Sequence, residues 1–121
     1  MDDDQRPLVW IGHVTMAATD PEAAHDFYVD LGMRSVVRSV DMGITEVRGG
    51  THIIFQRGEP SPGDAPFDLQ VDDIEALHAA WSEAGLEVTE IVQGRVHKTF
   101  HLTGPDQQRV LISDTHAIGA V

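Results

Sequence analysis

Two stretches of this chain echo each other 53 residues apart, and that spacing constrains the fold more than any other feature. Asp20 and Asp73 each open a helical run, Glu22 and Glu75 follow, His25 matches His78, Tyr28 matches Trp81, and Gly32 and Gly85 close the runs. Each run follows a strand-like segment and precedes several more. The repeating unit therefore reads strand, helix, strands. A fixed internal period of this kind marks a duplicated supersecondary unit whose copies share a core. Neither half, at roughly 55 residues, is comfortable alone.

Residues 8–19 (LVWIGHVTMAAT) are apolar and β-branched enough for a strand, with His13, Thr15 and Ala17 on one face and Val14, Met16 and Ala18 on the other. Asp20-Pro21-Glu22 is a helix start: the aspartate caps free amides, proline fits the first turn, and glutamate suits the positive end. Ala24, Phe27, Tyr28 and Leu31 form its apolar stripe, and Gly32 ends it. Strands are expected over 35–40, 44–48 and 52–56. In the second copy Phe67, Leu69 and Val71 make the apolar face of a strand over 66–71, with Asp68 and Gln70 opposite. Asp73 caps a helix with the stripe Ile74, Leu77, Trp81 and Ala84. Strands follow over 87–91, 96–102 and 109–113, the last two joined by a turn in which Pro105 favours type I. The expected organisation is one α+β domain: a first module over 8–57, a Pro/Gly-rich linker over 58–65, a second module over 66–114, and tails at 1–7 and 115–121.

Charge narrows the partners. Residues 1–60 hold ten acidic side chains against five basic, and residues 61–121 ten against three, within a formal net charge of −12. No basic footprint exists for nucleic acid, whereas a cationic small molecule is electrostatically favoured. No stretch of about 18 apolar residues suggests a membrane span, and the acidic, polar start is unlike a signal peptide. Cysteine is absent, which excludes disulfides and thiolate chemistry and fits a cytoplasmic protein.

The local wording is specific. Ile11-Gly12-His13-Val14-Thr15 leading to Asp20 and then Phe27-Tyr28, Leu31-Gly32-Met33; Phe67-Asp68-Leu69-Gln70-Val71-Asp72-Asp73-Ile74; and Thr99-Phe100-His101-Leu102-Thr103-Gly104-Pro105-Asp106 occur in that order over residues 8–114. Together they resemble the vicinal oxygen chelate superfamily of glyoxalases, bleomycin resistance proteins and extradiol dioxygenases. The resemblance implies two tandem βαβββ modules curving into a half-barrel cavity, and commonly a homodimer. It also implies a divalent metal held by four cavity-facing positions, two per module, where His or Glu side chains serve as donors. Those positions fall on His13, Ile54, Pro66 and Leu111. Three of the four carry no donor.

The expectation is therefore a metal-independent binder of a small organic, cationic or antibiotic-like ligand, with no cofactor. Its candidate contacts are His13, Thr15, His52, Gln56, Asp68, His97, His101 and Arg109, a mixed polar and apolar lining. Alternation sets His97, Thr99 and His101 on one face, either toward the cavity or as solvated imidazoles of an edge strand. The alternative is a metal-dependent lyase, isomerase or dioxygenase with a centre rebuilt from His13, Asp68 and His101 around Zn, Ni, Fe or Mn. A metal-free enzyme using His13 or His101 as acid or base is also open. Trp10 reads either as a stacking surface or as core; His25 and His78 read as solvent-facing and without a role; Tyr28 and Trp81 read as core.

Overall fold

The computed structural model describes residues 6–115, 117, 119 and 120; the expectation for the acidic leader at 1–5 lies outside them. Eight strands, two α-helices and a 3-10 turn follow in the order β1 (His13–Ala18), α1 (Pro21–Leu31), β2 (Arg34–Arg38), β3 (Met42–Glu46), β4 (His52–Arg57), β5 (Leu69–Val71), α2 (Ile74–Glu83), β6 (Val92–Gln93), β7 (Lys98–Thr103) and β8 (Arg109–Asp114). They form two mixed four-stranded sheets, ordered β1-β4-β3-β2 and β5-β8-β7-β6. In each, the first strand runs parallel to the last and the remaining pairs are antiparallel. The architecture is α+β with two βαβββ modules, and the chain divides into compact units at Gly58–Glu59.

The 53-residue echo is carried by the same hydrogen bonds in both copies. Asp20 Oδ1 accepts from the Ala23 amide at 3.1 Å and Asp73 Oδ1 from Ala76 at 3.0 Å. Both capping residues are extended, as an N-cap must be. At the other end Met33 N donates to Tyr28 O and Gly32 N to Val29 O; in the second copy Leu86 N donates to Trp81 O and Gly85 N to Ser82 O. That double closure needs a positive φ, which Gly32 (125°) and Gly85 (86°) supply without a Cβ penalty.

In the first module α1 lies on one face of its sheet. Tyr28 is 1% exposed and stacks on Phe55, 0% exposed, with ring centroids 5.2 Å apart and 9° between planes. Ala18, Ala24, Ile53 and Thr45 complete this core. Gly43 on β3 lets the helix approach: a Cβ there would meet Pro21 O at 2.7 Å and His25 Cβ at 3.0 Å. Gly43→Ala is expected to cost about 1–3 kcal/mol through this backbone clash, read as a lower urea midpoint with unchanged slope. In the second module Phe100, Leu102, Val110 and Ile112 are buried beneath Ile74 and Trp81, with Trp81 meeting Phe100 edge-on at 5.9 Å.

Several expectations are corrected. Residues 8–12 precede β1 rather than belonging to it, and Trp10 is 70% exposed, so it is not core. Residues 87–91 form no regular strand: Val88 bridges Leu102, Thr89 N donates to His101 O and Thr103 N to Glu87 O, and the regular pairing moves on to Val92–Gln93. The loop after β7 is a 3-10 turn whose Asp106 and Gln107 take φ near 60°, not a type I turn. β7 is internal in its sheet, so His101 is not on an edge strand, and His97 precedes the strand. His25 and His78 do not face solvent. His25 is 4% exposed, and His78 is half-buried, its ring edge-on to Phe100 at 4.9 Å and its Nε2 2.8 Å from Thr89 O. A helical wheel drawn for one flat apolar partner misses them, because the twisted sheet wraps a wider arc of the helix.

Asp26, one turn into α1, accepts from Arg38 of β2 through Oδ1 and Oδ2 at 2.9 Å each, and Glu22 takes the same guanidinium at 2.8 Å. The hydrogen bond from Arg38, then that from His25, hold the Asp26 carboxyl well below the usual carboxylate range. A depressed folded-state value means that its stabilisation is complete above the ordinary carboxylate pKa of about 4 and lost as pH falls below it. Asp26→Asn should therefore lower stability at neutral pH and flatten the acid limb below about pH 4, checked by thermal melts between neutral and acid pH. The pair is half-exposed, so the effect is modest.

Candidate functional site

The second module carries an open pocket of ≈ 380 Å³ lined by residues 64–68 with His101, Arg109 and Leu111. Its walls follow from the register. His101 on β7 and Leu111 on β8 are direct cross-strand partners on the face turned away from α2. The chain before β5 is held along β8, with Arg109 N donating to Gly63 O at 3.0 Å and Ala65 N to Arg109 O at 2.8 Å. The Arg109 guanidinium donates to Asp64 Oδ1 from Nη2 at 2.9 Å and from Nε at 3.2 Å. Carbon is supplied by Ala65, Pro66, Phe67 and Leu111. The polar groups are the Asp68 carboxylate, the His101 imidazole and the Asp64–Arg109 pair. A lining that mixes hydrocarbon with convergent polar groups suits a small organic molecule.

Of the sequence candidates, Asp68, His101 and Arg109 come together here. His97 does not; it stands before β7, with Nδ1 3.5 Å from Asp114 Oδ1. Phe67, expected to face the core, lines the cavity instead, because β5 begins only at Leu69 and strand alternation does not extend back to Phe67. Asp64 looked like linker. Its only sequence signal was a charge opposite in sign to Arg109, and no periodicity links positions 45 residues apart.

His13, Thr15, His52 and Gln56 share one face of the first sheet. Across it runs a row of direct partners, His13–His52–Glu46–Arg34. His52 Nε2 lies 2.9 Å from Glu46 Oε1, Arg34 Nη1 donates to Glu46 Oε2 at 2.9 Å, and the His13 and His52 rings are 5.8 Å apart. The next row is Thr15, Ile54 and Ile44, so the position where a metal donor would stand carries a hydrocarbon side chain. Glu46 and Arg34 were not foreseen, since their roles depend on register.

The sequence matches the family model of the Glyoxalase/Bleomycin resistance protein/Dioxygenase superfamily over residues 10–112. The chain belongs to this superfamily. Among solved structures, a member of the same superfamily from Sphaerobacter thermophilus superposes with TM-score 0.75 at 18% identity, covering 89% of this chain and 98% of that one. The oxidase ChaP-H2 gives 0.72 at 20%, covering 93% and 98%. A lactoylglutathione lyase from Agrobacterium tumefaciens gives 0.69 at 16%, covering 90% and 96%. These likenesses establish the fold. No curated protein matches the sequence at a significant level.

The four-ligand metal centre that the superfamily resemblance implies needs a donor side chain at each position. Pro66 and Leu111 line the second-module cavity with hydrocarbon, Ile54 does so in the first sheet, and only His13 of the four positions has a donor atom. Among the described residues no three His, Asp or Glu side chains are grouped to hold an ion. At three of the four positions the side chains present do not fit the four-ligand centre.

Proposed function

We propose that this protein binds a small organic cation in the second-module cavity without using a metal. The observation that supports this reading is the pairing of hydrocarbon at Pro66 and Leu111 with the Asp68 carboxylate in one ≈ 380 Å³ pocket. Apolar walls take the body of the ligand, Asp68 attracts its positive charge, and the net charge of −12 raises its local concentration. The Asp64–Arg109 pair and His101 set its orientation.

Titration with ethidium, a planar aromatic cation, is expected to raise the melting temperature saturably and equally with and without EDTA. Asp68→Asn should weaken binding about 2–5-fold, the size of one exposed charge contact. One equivalent of zinc, nickel, iron or manganese in protein purified without chelator, lost in His13→Ala, would overturn the reading.

The same proposal includes a homodimer in the cytoplasm. Leu8, Val9, Trp10 and Ile11 are 94%, 81%, 70% and 67% exposed just before the edge strand β1, and a second copy would cover them. Light scattering at micromolar concentration should give twice the chain mass, and Trp10→Ser with Ile11→Ser should halve it. No described helix is long and apolar enough to cross a membrane.

A further inference from the structure

His25 lies 4% exposed between α1 and the edge strand β2, with both ring nitrogens engaged. Nδ1 is 2.8 Å from Asp26 Oδ1, and Nε2 is 2.7 Å from Ser35 Oγ. Asp26 is clamped by Arg38 from Nε and Nη2, so its carboxylate stays ionised and can only accept. Nδ1 must then carry a proton. In the neutral imidazole the lone pair is left at Nε2, and the Ser35 hydroxyl donates to it. The tautomer is dictated by the carboxylate, and the polarity is that of a hydroxyl activated by a general base.

Position supports reactivity as well as hydrogen bonding. All five residues of β2 are exposed, so Ser35 is open to solvent while its base is not. The β2–β3 register shifts between Ser35 and Val37, a bulge of the kind that re-aims a side chain. Val36 and Val37, the next two residues of the strand, are exposed hydrocarbon at 42% and 38%. His25 is held in place by Gly43, whose missing side chain lets α1 sit against β3.

We propose that Ser35, His25 and Asp26 form a nucleophile–base–carboxylate site in the first module that hydrolyses small esters with a short apolar acyl group. Ser35 Oγ attacks the ester carbonyl carbon as its proton passes to His25 Nε2. Collapse of the tetrahedral adduct breaks the bond to the alkoxy oxygen, which leaves as the alcohol with that proton. Water then gives a proton to His25, attacks the acyl-serine and releases the carboxylic acid, restoring Ser35. The net reaction is ester plus water to acid plus alcohol. Asp26 is a positioning residue, acting through the imidazole.

The full chain with p-nitrophenyl acetate tests this. A burst of p-nitrophenolate equal to the protein present is expected, with the acetyl group on the peptide containing Ser35. Ser35→Ala, an exposed substitution that leaves the fold intact by circular dichroism, should slow the burst by about 10²–10⁴-fold. Asp26→Asn lowers the melting temperature on either account, but it should also lower kcat with KM unchanged, whereas a purely structural role would leave kcat of the folded protein as it was. The proposal is overturned if the parent reacts no faster than Ser35→Ala, or if the acetyl group is found on a lysine or histidine.

Discussion

Phe55→Ala is expected to destabilise the protein by about 3–5 kcal/mol, a large fraction of the roughly 5–15 kcal/mol that holds a domain of this size together. Phe55 is 0% exposed at the centre of β4 and lies flat on Tyr28, so truncation removes both buried area and the ring stack. Tyr28 has its hydroxyl pushed up to about 12 by burial, which marks how little solvent reaches this layer. Phe27, which meets Tyr28 edge-on at 5.0 Å but is only half-buried, is the control. Phe27→Ala should cost clearly less in the same urea titration, because area lost scales the penalty. Equal costs would show that the stack does not anchor the first module.

The second large effect is a gain. Pro66→His combined with Leu111→Glu places two donors in the second-module cavity already lined by Asp68 and His101. The parent chain has hydrocarbon at both positions, so the double variant should tighten zinc binding by at least about 10³-fold, from negligible to micromolar, as imidazole and carboxylate ligands are supplied together. Calorimetry with zinc alone, at a pH where imidazole is neutral, reads this directly. Each single substitution should give little, since one added donor does not complete a site. If the double variant takes up no more zinc than the parent, the loss of donors is not what separates this chain from a metal-binding one.

Both predictions start from the same duplicated plan. Capping aspartates, closing glycines and apolar stripes act within a few residues of themselves, so the helices and the module order could be read locally. Strand limits were less legible: the apolar residues 8–12 look like strand, yet β1 begins at His13, where pairing with His52 starts. Propensity names residues that suit a sheet, and only a partner decides where the ladder runs.

The site divides in the same way. Sequence by itself determined the α+β repeat, and it set Ile54, Pro66 and Leu111, side chains without donor atoms, where the resemblance implies metal ligands, because both are statements about residue type. Tertiary structure alone decided that Asp64 reaches Arg109 across 45 residues, that Phe67 turns into the cavity, and that His25, read as a solvated helix residue, is buried between an aspartate and a serine. Those contacts depend on sheet register and on how closely a helix can approach a strand. Neither quantity has a period in the sequence; both are set by packing over the whole module.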